Sequence, residues 1–341
     1  MTILATKLAD WSDMYKGKLD WAEQRYNTRG LYEYAKNDTV NLIDDSVIQQ
    51  AKKSPTHPVK IPVVNGMTMT VTSTRSITVT NKDSTTAFST LTYSTYCVAF
   101  DMKPAIYPDN YVGYMTDFKR KMDIAQNAIL DSVEGALYTK SDTDKSQYNA
   151  ADLNPYTLVG NEFIIDYANR EDVFNEIGPI YKTNKFNDVS NLTFIANPRT
   201  EALIKKIEQS AAYNAENKAM VLANKKFLFS NAITNSSPSA YTMFSLLPGS
   251  IGMTNWNDND AQMNMKGENG EVTIAYMPLM GMDCAVFQRR YFYDGSGSYT
   301  GKQRTMLEGF EISTDIALVT PYLSAPTTNA SPIFKIRINA A

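Results

Sequence analysis

Met67-Thr-Met-Thr-Val-Thr-Ser-Thr-Arg-Ser-Ile-Thr-Val-Thr80, followed by the run from Pro108 to Tyr138, decides how this chain folds. In the first stretch Met67, Met69, Val71, Ile77 and Val79 recur on alternate positions, with Thr or Ser mostly between them. A period of two with β-branched residues predicts extended structure with one polar face. In the second stretch Tyr111, Met115, Phe118, Met122, Ala125, Ile129, Val133 and Ala136 step by threes and fours. That spacing predicts one amphipathic helix of about 30 residues, ~45 Å long. Asp117, Arg120, Asp123, Asn127, Asp131 and Glu134 are expected largely off the apolar stripe.

Around the Thr-rich stretch the alternation extends both ways. Pro55, Pro58 and Pro62 punctuate the approach, Val59, Ile61 and Val63 share one face, and Asn65-Gly66 signals a tight turn or bulge. Asn81-Lys-Asp-Ser84 reads as a polar tip, and Phe88, Leu91, Tyr93, Tyr96, Val98 and Phe100 as a returning strand. The sum is a two-way β arm with exposed edges, which invite pairing with another chain. Met67, Met69, Val71, Arg75, Ile77, Val79, Phe88, Leu91 and Tyr93 are the candidate intersubunit contacts.

Residues 1–57 are polar, with Leu19, Ala22, Tyr26, Val40, Ile43, Val47 and Ile48 at helical spacings and Gly30 as an interruption. These helices are too poor in apolar residues to form a core alone, so an arm that packs on something else is expected. Residues 141–156 read as a polar loop, after which the pattern is mixed α/β. A helix carrying Val173, Phe174 and Ile177 is expected to stop at Gly178-Pro179, and another to start at Asn197-Pro198. Strands are expected at Leu192–Ala196, Lys226–Phe229, Val272–Tyr276, Cys284–Phe287, Arg290–Tyr293, Phe310–Val319 and Ile333–Ile338.

The chain's 341 residues give ample length for a core. Its 33 Lys plus Arg against 36 Asp plus Glu leave a net charge of −3. That balance argues against a protein whose affinity comes from neutralising phosphates. Tyr is abundant, at 21, and suits surfaces that become interfaces. Cys97 and Cys284 each lie in apolar stretches and are expected as reduced, buried thiols. The N-terminus has no basic flank leading into an apolar run, and no apolar run reaches the ~18 residues a membrane helix needs. Neither a signal peptide nor a membrane span is expected.

The sequence offers little chemistry. The one histidine, His57, sits between Thr56 and Pro58 with no triad or zinc partners nearby. The two cysteines lack metal-ligand spacing. Gly295-Ser-Gly-Ser-Tyr-Thr-Gly301 has Thr300 where a dinucleotide loop needs its third glycine, and reads as a hairpin tip. Counting from Asp258, an EF-hand would need Gly at 263 and Glu at 269, where Met263 and Asn269 stand. An Asx-rich loop is the better account of Asp258 and Asp260, with an irregular cation site as the alternative. The pairs Asp44-Asp45 and Asp142/Asp144 read as solvated faces. The acceptor sequences at Asn191 and Asn235 mean little without a secretion signal. No catalytic residue, cofactor or metal is assigned.

The order of segments resembles the major capsid proteins of tailed bacteriophages, the Hong Kong 97-type fold, an α+β class. Val59-Lys-Ile-Pro62 before the arm, Phe100-Asp-Met-Lys103 before the helix and Phe194-Ile-Ala-Asn-Pro198 beyond it carry the local likeness. The resemblance implies an N-terminal arm over 1–57 and an extended β loop over 58–104. A spine helix of a peripheral domain over 105–140, an axial domain over 141–285 and return strands of the peripheral domain over 286–341 follow. It also implies a non-enzymatic subunit that self-assembles into hexamers and pentamers of an icosahedral head enclosing double-stranded DNA. Implied partners are portal, scaffolding and decoration proteins. The implied location is the virion, after assembly in the bacterial cytoplasm, with no membrane. An encapsulin-like nanocompartment keeps the fold and changes the cargo. A carboxylate-dependent α/β hydrolase is the reading from another class.

Overall fold

A computed structural model describes residues 3–14, 28–53, 60–64, 86–145, 156–183, 186, 189, 191–210, 225–235, 240–267, 270–293, 305–320 and 332–339. Near the N-terminus lie helices α1 (Ile3–Asp13), α2 (Gly30–Leu42) and α3 (Asp45–Lys53). Strands β1 (Lys60–Val64), β2 (Thr86–Thr90) and β3 (Tyr93–Met102) lead through a short 3-10 turn into the long helix α4, Tyr111–Thr143. At 33 residues α4 spans ~50 Å. Its start is cut sharply: Asp109 takes the left-handed conformation (φ 59°), and the Asn110 side-chain oxygen accepts the Gly113 N–H at 2.9 Å. The polar loop expected from residue 141 begins later, because the helix runs on to Thr143.

The stripe on α4 is the spine of the larger core. Met115, Phe118, Met122, Ala125, Ile129 and Val133 are buried, while Tyr111 is exposed and Ala136 half-buried. Leu130 and Leu137 join the buried side. Over this helix lies a six-stranded sheet in the order β10 (Lys266–Gly267), β11 (Gly270–Met277), β12 (Met282–Tyr293), β13 (Thr305–Val319), β3, with β9 (Gly252–Trp256) paired to the far half of β13. Phe118 of α4 sits under Phe310 of β13 and Phe100 of β3, ring centroids 4.8 and 6.0 Å away. Aromatic rings prefer such tilted contacts.

The second sheet runs β4 (Thr157–Val159), β5 (Glu162–Ile165), β14 (Ile333–Ile338), β8 (Tyr241–Leu246), β6 (Thr193–Ala196), β7 (Lys226–Phe229). Helices α5 (Val173–Thr183) and α6 (Thr200–Ser210) contribute Val173, Phe174, Ile177, Leu203 and Ile204 to its core.

Several expectations are corrected. Helix α5 does not stop at Gly178-Pro179 but passes through them. Pro179 costs it one internal bond, and burial of Ile177, Ile180 and Tyr181 holds it together, with the Tyr181 hydroxyl donating to Ser245 O at 2.7 Å. Gly30 does not interrupt a helix but opens α2, pressed against β7 so closely that a Cβ would stand 2.7 Å from Phe229 O. The N-terminal helices pack on their own chain, since Leu4, Leu8, Trp11, Leu31, Tyr32 and Ala35 enter the larger core. Cys284 is buried, but Cys97 is exposed, because β3 turns it to the uncovered face of its sheet. Two strand groups change sheets. β14, expected with the return strands of 286–341, lies inside the second sheet, parallel to β5 and antiparallel to β8. β11 and the start of β12, expected in the axial stretch 141–285, lie in the first sheet.

Candidate functional site

The candidate site is the root of the β arm and the surface around it. β1 and β2 form an antiparallel ladder from Lys60↔Thr90 to Val64↔Thr86. Val64 and Thr86, the two ends of the intervening stretch, are therefore cross-strand partners. Met67, Met69, Val71, Arg75, Ile77 and Val79 lie outside the described residues, as does the Asn65-Gly66 turn. Phe88 sits in β2 opposite Pro62. Leu91 is half-buried in the two-residue break before β3. Tyr93 is not on the arm: it opens β3 opposite Ala317, half-buried, and burial pushes its phenol up. So Phe88 belongs to the arm's paired root and Tyr93 to the body.

Three polar anchors tie the elements of the body to one another. At the first, the Glu134 carboxylate accepts the backbone N–H groups of Leu31 (3.1 Å) and Tyr32 (2.6 Å) and the Ser230 hydroxyl. These N–H groups are orphans of the first turn of α2, and a carboxylate there also suits the helix dipole. Burial raises the Glu134 carboxyl, and the bonds from Ser230, Tyr32 and Leu31 counter part of that. Arg29 completes the joint with Asp131 (2.7 Å) and Asn127 (2.8 Å).

At the second, the Lys7 ammonium donates to Glu308 Oε2 (2.5 Å) and to the Tyr114 hydroxyl (3.0 Å); Tyr114 itself donates to Glu308, and Arg290 Nε donates to Glu308 Oε1 (3.0 Å). Burial alone would raise the Glu308 carboxyl. The bonds from Lys7 and Tyr114 and the charges of Lys7 and Arg290 overcome it and hold the group below its usual range. At the third, Lys335 of β14 reaches Glu162 (2.7 Å) and Asp142 (2.8 Å), tying the end of α4 to the second sheet.

Sequence reasoning missed all three. A signal existed for Glu134, which lies four residues after Leu130 and three before Leu137, on the buried side of the helix. Lys7, Glu308 and Lys335 gave none, because each partner is remote in sequence.

The first sheet covers α4 with one face only. On the other, β11 to β3 line up Val272, Phe287, Glu311 and Ala99 in one row, and Ile274, Ala285, Ser313 and Cys97 in the next. Phe287, Ala99, Cys97 and the nearby Tyr276 are exposed. This face mixes apolar and small side chains with the Glu311 carboxylate, and Ala285 within it is buried.

Chemistry is scarce here as well. Among the described residues no cluster of three His, Cys, Asp or Glu side chains is placed to share a metal ion. Asp258 accepts the Ala261 N–H at 2.7 Å and so caps the short helix α7, Asn259–Gln262. His57 and the Gly295–Gly301 stretch lie outside the described residues.

No family model matches the chain, and no curated protein matches it in sequence. Among solved structures, the capsid of Cyanophage A-1(L) is similar with a TM-score of 0.50 at 11% identity, over 94% of this chain and 96% of that one. The capsid of Ralstonia phage GP4 gives 0.48 at 8% identity, over 96% of each chain. A chain of the encapsulin complex from Synechococcus elongatus gives 0.45 at 10% identity, over 98% of this chain and 95% of that one. A short antiparallel strand pair, a long helix under a sheet built from both flanks of the chain, and a second sheet with the last described strand inside it make up, with the likeness to the cyanophage capsid, the Hong Kong 97-type fold.

Proposed function

We propose that this chain is the major capsid protein of a tailed bacteriophage, a non-catalytic subunit that assembles into hexamers and pentamers of an icosahedral head around double-stranded DNA. The observation that supports the reading is the antiparallel β1–β2 ladder, whose two strands bracket the Thr-alternating stretch and pair its ends, Val64 with Thr86. Taken as two arms of a ribbon at 3.3 Å per residue, those residues reach about 35 Å, far enough to lie across a neighbouring copy. The Thr alternation lets such an arm stay soluble until it is covered. Met67, Met69, Val71, Arg75, Ile77, Val79, Phe88 and Leu91 are its contact residues in this reading, with Tyr93 where the arm meets the body. The segments 1–57, 58–104, 105–140, 141–285 and 286–341 then serve as arm, loop, spine, axial and return regions, with the strand exchanges described above.

Repetition of many modest contacts by symmetry gives a stable shell whose errors can anneal. The net charge of −3 suits a wall that holds DNA without binding it tightly. Portal, scaffolding and decoration proteins are the partners such a head requires, with assembly in the bacterial cytoplasm. The test is electron microscopy of the purified protein after assembly and of the particle that contains it. Closed shells holding DNA are expected. Protein that stays monomeric under all assembly conditions and is absent from the particle ends the proposal, and shells holding an enzyme turn it toward a nanocompartment.

A further inference from the structure

α1 is held in a different way from its neighbours. α2 is anchored through Glu134 at its start and through Asp38, whose carboxylate accepts the N–H groups of Gly249 (2.7 Å) and Ser250 (2.9 Å), without any residue of α1. α1 docks through buried Leu4, Leu8 and Trp11, through Leu4 N–H to Glu271 (2.5 Å), through Tyr111 to Asp10 (2.5 Å) and through the buried Lys7–Glu308 pair.

A buried ion pair is seldom the most stable way to fill a core, because both charges lose their water. Breaking one normally strands a charge, which makes the contact hard to open. Here the stranded charge is already provided for. When Lys7 leaves, Glu308 keeps the Arg290 guanidinium at 3.0 Å and the Tyr114 hydroxyl. Lys7, on leaving, gains water. Glu308 therefore still has a cationic partner and a hydroxyl donor with α1 gone.

We propose that α1 is a releasable clamp, closed on its own subunit in this structure, which opens as a unit when the subunit enters a shell, with Glu308 losing Lys7 and keeping the Arg290 and Tyr114 partners it already holds. This rests on the capsid reading for its trigger. Opening exposes Leu4, Leu8 and Trp11 together with the groove they fill, so it is favourable only where a second copy of the chain covers that surface. A clamp of this kind keeps the N-terminal contact out of play in free subunits and makes it available during assembly.

Native-state hydrogen exchange on the full chain, read by mass spectrometry, tests the proposal. In free subunits peptides covering 3–13 are expected to exchange about tenfold faster than those covering 111–143, and in shells their protection is expected to change while that of 111–143 does not. Glu308→Gln, which leaves Lys7 buried beside a neutral partner, is expected to speed exchange of 3–13 by a further ~tenfold. The double variant Lys7→Met with Glu308→Gln removes the buried charge and is expected to return exchange to near the wild-type rate. Peptides 3–13 and 111–143 opening together in the wild type, or exchange of 3–13 identical in subunits and shells, overturns the clamp. The wild-type measurement decides this even if Glu308→Gln fails to fold. The free-subunit arm needs no shells, so a chain that never assembles sinks the capsid reading without mimicking a failed clamp.

Discussion

Glu134 does the work of a capping side chain from a helix away, and its removal has a definite cost. Glu134→Ala leaves the N–H groups of Leu31 and Tyr32 unsatisfied in the core, and a loss of roughly 2–4 kcal/mol is expected in urea unfolding. Phe118 is the centre of the ring cluster with Phe100 and Phe310. Phe118→Ala is expected to cost about 3–5 kcal/mol. Phe118→Asp adds an unpaired buried charge and should prevent cooperative thermal unfolding altogether. Glu308 gives a pH test. Its carboxyl is held below the ordinary range in the folded state, so its contribution is complete above about pH 4.3, the unfolded value, and is lost as pH falls through the lower folded value. The stability difference between the wild type and Glu308→Gln should therefore be constant at neutral pH and shrink in acid, as urea midpoints across that range would show. At this scale the apolar residues were legible from their spacing, Phe118 and Ile129 among them. The buried charges were not, because burial of Lys7 or Glu308 depends on a partner about 300 residues away.

The arm and α4 separate as elements. Deleting residues 65–85 and closing Val64 to Thr86 with a short turn keeps the β1–β2 ladder. That variant is expected to unfold within a few degrees of the wild type and to form no shells, read by calorimetry and electron microscopy. Normal shells from it would refute the arm's role. A deletion carried on to Thr95 is a different experiment, because Tyr93 to Thr95 pair with Ala317 to Asp315 inside the first sheet. Long periodic elements were read best: α4 and β13 lie where their patterns placed them, β13 starting five residues earlier, while the strand expected over Phe88 to Phe100 breaks at residues 91–92 into β2 and β3. The short strands β4, β5, β8 and β9 were missed. β8 shows why. Thr242 and Ser245 are buried among its apolar residues, so a strand covered on both faces shows no alternation. α5 was cut short because Pro179 is a local breaker, and tertiary burial outweighed it.

Across the whole molecule, the order of segments, through its resemblance to phage capsid proteins, pointed to a shell subunit, but not to which strands share a sheet. A strand's own pattern says which faces are buried, never who its neighbour is. β14 is the sharpest case, a final strand placed between β5 and β8. A chain ending at residue 331 would leave those two strands with facing, unpaired edges. It is expected to accumulate as insoluble protein, which fractionation after expression would show; a soluble, monomeric product would mean the second sheet tolerates the gap.

The same strand order sets a clock for synthesis. β13, the centre of the first sheet, and β14, inside the second, both come from the last stretch of the chain. β3 leaves the ribosome roughly 200 residues before β13, a wait of ~10–40 s at bacterial elongation rates. Throughout it, the apolar stripe of α4 has no sheet to cover it. Neither sheet can close until its late strand has been made, β13 for the first and β14 for the second. A nascent chain with that stripe uncovered is expected to bind chaperones that hold apolar segments, and to bind more of them when translation slows before Thr305.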